Sequence, residues 1–212
     1  MSYSPTVAGP RGLDQLLRLA AAQRFELACE HFYFLRHGQT ERNARRIFQA
    51  ADEPLDATGQ AQARRAATLL AAAPILTVVC SDTRRTLETA ATVSAPFGLR
   101  AQPRAGLRER NFGNLIGTSS VDIDWNCAPE AGETLAEFVD RSAAALLEAF
   151  AHPAPVLVVA HGGILYVLAG LLNVALDAQA LGNAHPLRFE RADGRWRALP
   201  LAASADTRLN LA

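Results

Sequence analysis

The sequence of 212 residues contains no lysine, because all 21 of its basic residues are arginines. This absence excludes a Walker-A lysine, the phosphate-binding lysine of kinases and a Schiff base with pyridoxal phosphate. The arginines are balanced by 21 acidic residues, so the chain has no overall attraction to nucleic acid or to anionic lipid. We therefore expect neither nucleic acid nor a membrane as a partner.

Cysteine is scarce as well. Cys29, Cys80 and Cys127 are odd in number and share no C-x-x-C spacing, so neither a disulfide framework nor a cysteine-based zinc site is expected. The N-terminus lacks the basic and apolar regions of a signal peptide. The longest strongly apolar segment begins at Gly162, is too short to cross a bilayer and is typical of a buried helix. These features predict a cytoplasmic protein.

Hydrophobic residues make up half of the chain, which is enough to bury the core of one large domain. Short apolar runs alternate with segments of helical periodicity. Strands are predicted at 32–35, 75–80 and 156–160, and helices at 58–70, 82–93, 134–150 and 162–172. Near the C-terminus, Asp193-Gly194 predicts a hairpin between 187–190 and 196–199. The alternation indicates an α/β layered domain with a largely parallel sheet.

Two local signals refine these boundaries. Ser81 or Asp82 is a plausible N-cap for the helix predicted at 82–93, and Thr134 with Glu137 has the spacing of a capping box.

Residues 1–30 are predicted to form an extension of the domain that occupies residues 31–212. Residues 1 to about 10 are rich in proline, glycine and serine and predict a loose arm. Leu13, Leu16, Leu17 and Ala20 then recur at helical spacing, which predicts a short amphipathic helix packed on the domain surface.

Histidine follows two of the predicted strands, at the point where each strand ends. His37 and His161 are each followed by glycine, and Arg85 lies in the first turn after the strand between them. In open α/β sheets, ligands bind outside the carboxyl ends of the strands. Arginine forks fit phosphate oxygens, and an unprotonated imidazole can attack phosphorus. Glu109, in a loop among arginines, is a candidate proton donor, so the pattern indicates phosphoryl transfer.

Six segments, taken in order, resemble the histidine phosphatase superfamily in its phosphoglycerate-mutase-like branch. They are RHGQTERN (36–43), DEPLDATGQAQA (52–63), SDTRRTLETA (81–90), LRERNFG (107–113), GET (132–134) and VVAHGG (158–163). The resemblance covers residue 31 to the end of the chain. It implies a three-layer α/β/α sandwich with a mostly parallel central sheet.

The resemblance also implies roles for six residues. Three would bind the phosphate: Arg36, Asn43 and Arg85. His37 would be the nucleophile that becomes phosphohistidine, and His161 would stabilise the transition state. Glu109 would protonate the leaving group and later activate water. The resemblance implies no metal and no cofactor. One departure is Ala50, where family members often have glycine.

The short segment 114–131 favours a phosphatase over a mutase. It would form a lid over the pocket, and it lacks the length and the lysine and tyrosine content with which mutases hold a bisphosphate. The predicted function is a phosphomonoesterase that hydrolyses a small phosphorylated metabolite. A cofactor-dependent phosphoglycerate mutase, a phosphoprotein phosphatase and a non-catalytic interaction module stay open as alternatives. An exposed edge of the C-terminal hairpin could support a homodimer.

Several other residues near the motifs could be functional or structural. Four arginines could bind a second anionic group of the substrate or could simply be surface charges: Arg45, Arg46, Arg108 and Arg110. Glu88 and Glu133 compete with Glu109 for the role of the acid, but Glu133 is expected to brace the site by hydrogen bonds and Glu88 to lie exposed in the middle of a helix. Trp125 is expected to pack.

His31, His152 and His185 lack the spacing of metal ligands and are expected to be surface or hydrogen-bonded residues. His185 stays open as a site residue, because its loop could reach the pocket.

Overall fold

The computed structural model describes residues 10–202, in which helices cover both faces of a six-stranded sheet. The strands are β1 (His31–Arg36), β2 (Thr77–Ser81), β3 (Gln102–Arg104), β4 (Val156–Ala160), β5 (Pro186–Ala192) and β6 (Arg195–Pro200). The helices are α1 (Leu13–Ala21), α2 (Glu41–Ala44), α3 (Ala57–Leu70), α4 (Arg84–Ser94), α5 (Leu135–Phe150) and α6 (Gly162–Leu172). The predicted loose arm lies outside the described residues, except for its last position, Pro10.

The strand order is β3-β2-β4-β1-β5-β6. The first four strands of this order are mutually parallel, whereas β5 and β6 form an antiparallel hairpin on the side of β1. Arg36 lies opposite Ala160, and Cys80 lies opposite Val159. The carboxyl ends of β1, β2 and β4 therefore meet at one edge of the sheet.

Alternate residues of the central strands pack into two separate cores. In β4, Val156, Val158 and Ala160 join the core beneath α1, α5 and α6, whereas Leu157 and Val159 join the core beneath α3 and α4. Because a central parallel strand is buried on both faces, it has a continuous apolar sequence. The prediction of a three-layer α/β/α sandwich with a mostly parallel sheet is confirmed.

The predicted capping box at the start of α5 is present. Thr134 Oγ1 accepts from the backbone N–H of Glu137, and the Glu137 carboxylate accepts from the N–H of Thr134. At the hairpin, Asp193 and Gly194 have φ of 52° and 73°, which is the left-handed backbone of a two-residue type I′ turn. Local sequence signals are thus sufficient to predict the start of α5 and the turn of the hairpin.

The start of α4 differs from the prediction. The helix begins at Arg84 after Thr83, so neither Ser81 nor Asp82 is its N-cap. Ser81 is instead the last residue of β2, and the Asp82 carboxylate pairs with Arg108. Tertiary contacts therefore use both side chains that local propensity assigned to the cap. The three-residue edge strand β3 was not predicted, because a short segment with a central proline gives little strand signal.

Helix α1 packs against α5 and α6. The side chains of Leu16 and Ala20 are fully buried, and a Cβ at Gly170 of α6 would lie 2.6 Å from the Ala20 Cβ. Glycine is thus required where the two helices approach. The boundary at residue 30 between an extension and the domain stays a prediction. Within residues 10–202, no helix is long and apolar enough to cross a membrane.

Candidate active site

A cavity of about 320 Å³ opens at the carboxyl edge of the sheet. All six residues to which the resemblance assigns a role line this cavity: Arg36, His37, Asn43, Arg85, Glu109 and His161. They come from the ends of β1 and β4, from the first turns of α2 and α4, and from the loop that follows β3. The fold thus brings together residues that lie up to 125 positions apart in the sequence.

The imidazole of His37 is held in one tautomer. Its Nδ1 lies 2.7 Å from the carbonyl oxygen of Gly38, which can only accept, so Nδ1 carries the proton and Nε2 carries the lone pair. The pKa of His37 lies well below 6.5, because burial and then the charges of Arg85 and Arg36 disfavour the imidazolium. At neutral pH the ring is therefore uncharged.

The turn after His37 is fixed by close backbone packing. A Cβ at Gly38 would lie 2.5 Å from the carbonyl oxygen of Gly59 in the first turn of α3, so a side chain does not fit there. Thr89 Oγ1 accepts from the Gly38 N–H at 3.1 Å, and Asn183 Nδ2 donates to the His37 carbonyl at 2.9 Å. Three different elements thus position the turn.

His161 is the residue before α6, and its ring centroid lies 5.2 Å from that of His37. Its Nδ1 lies 3.4 Å from Arg85 Nη2, which can only donate, so Nδ1 is the acceptor and Nε2 donates to Ser81 Oγ at 3.0 Å. Burial and then Arg85 hold the pKa of His161 well below 6.5. Both histidines are therefore neutral beside two arginines.

Arg36 and Arg85 are anchored by backbone carbonyls and keep donors free. Arg36 Nη1 donates to the Leu181 carbonyl at 2.6 Å, and Arg85 Nη1 donates to the Ala50 carbonyl at 2.8 Å. In the described residues, the Nε of each arginine is buried without a partner. Burial lowers the pKa of Arg85 to about 10, which leaves it charged at neutral pH.

The amide oxygen of Asn43 is likewise buried and without a partner within residues 10–202. Ala50 stands where the resemblance implies glycine, and its backbone carbonyl still accepts from Arg85. Because unpaired buried donors are costly, the two arginine Nε groups mark a place for an anion with several acceptor oxygens.

The carboxylate of Glu109 is held at the start of α6. Its Oε2 accepts from the Gly163 N–H at 2.9 Å, and its Oε1 accepts from the Arg110 N–H at 3.0 Å. A Cβ at Gly163 would lie 2.0 Å from Glu109 Oε1. Gly163 thus leaves the space that the carboxylate occupies on the cavity wall.

Three of the four arginines that could have bound a second anion instead have partners within the protein. Arg45 pairs with Glu41, and Arg108 makes two bonds to Asp82 of 2.6 and 2.7 Å. Arg110 is buried, and its guanidinium donates to the carbonyls of three residues: Trp125, Cys127 and Glu133. Its role in tying this loop together was not predicted, because the loop has no periodic pattern.

Residues 114–131 contribute to the cavity wall, as the interpretation of this segment as a lid requires. Ile116, Ser120, Ile123 and Trp125 line the cavity, and Trp125 also stacks on Phe138 at 6.1 Å. The Glu133 carboxylate accepts from the Asn111 N–H and pairs with Arg141 at 2.6 Å. Glu133 thus braces the loop that carries Glu109.

Two polar residues of the site, Gln49 and Ser81, were not predicted as site residues. Gln49 lines the cavity and accepts from Thr40 Oγ1 at 2.7 Å. Ser81 Oγ accepts from His161. The signal for Ser81 was its position at the end of β2, beside the strand that ends at His161.

Comparisons with known proteins agree with this geometry. The family model of the histidine phosphatase superfamily (branch 1) matches residues 32–203. The chain is 33% identical over 202 residues to a glucosyl-3-phosphoglycerate phosphatase of Mycolicibacterium vanbaalenii, which covers 77% of this chain and 90% of that protein. It is 35% identical over 178 residues to an agropine synthesis reductase of Rhizobium rhizogenes, covering 78% of this chain but only 40% of the reductase.

A similar solved structure is that of mycobacterial glucosyl-3-phosphoglycerate phosphatase in complex with VO3. It superposes with a TM-score of 0.66 and 28% sequence identity, covering 82% of this chain and 99% of that one.

Proposed function

The chain belongs to the histidine phosphatase superfamily, and from that premise we propose that it is a phosphomonoesterase that hydrolyses a small phosphorylated metabolite through a phosphohistidine on His37. The observation that carries the proposal is the state of His37. Its Nδ1–H is engaged by the Gly38 carbonyl, its ring is uncharged, and its Nε2 is left to attack. The unpartnered donors of Arg36 and Arg85 line the same cavity.

In the first step, Arg36, Arg85 and Asn43 bind the phosphate oxygens, and His37 Nε2 attacks phosphorus. The N–P bond forms as the bond between phosphorus and the ester oxygen breaks. The leaving oxygen takes its proton from the Glu109 carboxyl group, which becomes a carboxylate.

In the second step, the Glu109 carboxylate accepts a proton from water, and the water oxygen attacks phosphorus. The N–P bond breaks, inorganic phosphate leaves, and the lone pair returns to His37 Nε2. His161 donates through Nε2 to Ser81 and accepts from Arg85 through Nδ1, so it holds the Arg85 guanidinium beside the phosphoryl group in both steps.

The geometry favours hydrolysis over the two alternative reactions. A phosphoglycerate mutase retains a phosphorylated intermediate that carries a second anion, but Arg108 and Arg110 are paired elsewhere. A phosphoprotein phosphatase needs an open site, whereas residues of segment 114–131 wall this cavity. Small esters therefore suit the site best.

Phosphate release from a panel of phosphomonoesters, with EDTA present, tests the proposal. Release that survives EDTA, disappears in His37→Ala and persists in His31→Ala is expected. His31 is the matched control because it lies on the same strand but outside the cavity lining. Mass spectrometry of quenched enzyme should show phosphate on His37. Absence of release from every ester would refute the phosphomonoesterase.

A homodimer and a cytoplasmic location stay predictions. Strand β6 forms one end of the sheet, and we propose that two copies pair along it. Light scattering should then give twice the chain mass of 22.7 kDa. A monomer at all concentrations would contradict this pairing.

A further inference from the structure

We infer that the alcohol half of the substrate is apolar and uncharged, and this inference rests on the proposed phosphomonoesterase function. It concerns the part of the cavity beyond the phosphate-binding residues. Nothing in the chemistry at His37 fixes that half of the substrate, so the cavity wall must select it.

Aromatic rings form a continuous row along the wall. The ring centroids of Phe48 and Phe112 are 4.3 Å apart, those of Phe112 and Trp125 are 6.0 Å apart, and those of Trp125 and Tyr166 are 6.1 Å apart. All four residues line the cavity. Such a row buries apolar or flat groups well, because its polar atoms are few.

Aliphatic side chains of segment 114–131 complete this wall. Ile116 and Ile123 line the cavity from that segment, and Ser120 is its small polar member. The indole N–H of Trp125 has no partner within residues 10–202, so an uncharged acceptor on the substrate is compatible with the wall. A carboxylate placed here would lose its water, and the guanidinium of Arg110, 5.3 Å from the centroid of the Phe112 ring, already donates to three backbone carbonyls.

The arginines that line the cavity either have hydrogen-bonding roles already or are exposed to solvent. Four arginines line it, of which Arg36 and Arg85 face the phosphate position. The guanidinium of Arg110 donates hydrogen bonds to three backbone carbonyls. Arg46 is exposed and gives one donor to the Val121 carbonyl at 2.8 Å, so water screens its charge. Among the arginines that line the cavity in the described part of the chain, Arg46 is therefore the one whose side chain is exposed.

The test compares alkyl phosphates whose alcohols have similar acidity, so that the leaving groups are equally reactive. The probes are 3-phenylpropyl phosphate and 4-phosphooxybutanoate, with 3-phosphoglycerate as a further anionic ester. We expect kcat/KM to favour the phenylpropyl ester by about tenfold or more.

Two variants in the same segment locate the selection. Ile116 and Val121 are exposed apolar residues, but only Ile116 lines the cavity. Ile116→Arg should shift the preference toward the anionic esters at least several-fold, and Val121→Arg should leave it unchanged. Because both positions are exposed, both variants should fold.

The outcomes separate the inference from the proposed function. Release that favours 4-phosphooxybutanoate or 3-phosphoglycerate in the wild type, and that Arg46→Ala abolishes, overturns the inference and upholds the phosphomonoesterase. An equal shift in Ile116→Arg and Val121→Arg overturns the assignment of the wall. Absence of release from all three esters and from the wider panel overturns both.

Discussion

At the residue scale, the position of Glu109 predicts a defect that depends on the leaving group. Glu109→Gln keeps the size of the side chain but removes the acid and base, so kcat/KM for alkyl phosphates should fall by about 10²–10⁴. 4-Nitrophenyl phosphate should lose much less, because nitrophenolate leaves without a proton. Steady-state assays of both esters measure the difference.

The same variant should also accumulate phosphohistidine, since water activation needs the carboxylate. Rapid-mixing assays with 4-nitrophenyl phosphate should show a burst of nitrophenolate, followed by slow turnover. Equal losses for the two esters without a burst would assign Glu109 to substrate binding instead.

At the scale of an element, the first turn of α6 sets the position of that carboxylate. A Cβ at Gly163 would lie 2.0 Å from Glu109 Oε1. Gly163→Ala should therefore reproduce the dependence on the leaving group that Glu109→Gln shows. Its stability in urea should fall by about 1–3 kcal/mol, because the added methyl group would also lie 3.0 Å from the ring of Phe138, which is fully buried.

The matched control for this variant is Ile164→Val, at the next residue of α6. Ile164 is buried but does not line the cavity. It should lower stability by about 0.5–1.5 kcal/mol and leave the ratio of the two esters unchanged. A Gly163→Ala enzyme with wild-type activity would show that Glu109 can act from another rotamer.

A second element-scale contact joins residues 10–12 to segment 114–131. The backbone N–H of Trp125 donates to the Arg11 carbonyl at 2.8 Å, and Pro10 lines the cavity. Gly12 has a φ of 75°, and a Cβ there would lie 2.7 Å from the Asn126 backbone nitrogen. Gly12→Ala should displace this contact and raise KM about threefold to tenfold with little change in kcat.

Arg11→Ala is the control for Gly12→Ala, because Arg11 contributes its backbone carbonyl to the contact. It should leave KM and kcat unchanged. A KM effect of equal size in both variants would mean that the Arg11 side chain, and not the backbone pairing, acts on the lid.

Elements could be predicted from sequence where local signals and packing agree. Strand β4 and helix α6 have the predicted bounds, because each is a continuous apolar run with a clear boundary. Pro155 precedes the run of β4, Gly162 begins that of α6, and Asn173, with a left-handed backbone, ends it.

The predicted start of α4 was wrong, because the side chains of Ser81 and Asp82 have long-range partners. Ser81 accepts from His161 and Asp82 pairs with Arg108, and no local pattern reveals either contact.

For the site, sequence motifs predicted which residues meet but not how they are held. The six motif residues line one cavity, and their roles stay predictions. The pairing of Arg110 with three carbonyls, and the contact of Arg11 with Trp125, depend on loops without periodicity. Such contacts follow from tertiary geometry alone.

At the scale of the whole molecule, the two buried histidines make global stability depend on pH. In the folded protein the pKa of His37 and of His161 lies well below 6.5, which is the value expected for the unfolded chain. Below pH 6.5 the unfolded chain therefore binds protons that the folded protein does not bind. The free energy of unfolding must then fall as the pH falls.

The expected slope is about 1.4 kcal/mol per pH unit for each histidine, or about twice that for the pair. It should appear between pH 6.5 and about 5, above the range in which carboxylates titrate. Urea unfolding at several pH values measures it, and His161→Gln should remove about half of the slope because one titrating group is gone. A free energy of unfolding that stays constant from pH 6.5 to 5 would mean that the histidines bind protons in the folded protein. His37 would then be charged in the free enzyme below pH 6.5, and its attack on phosphorus should be lost as the pH falls through that value.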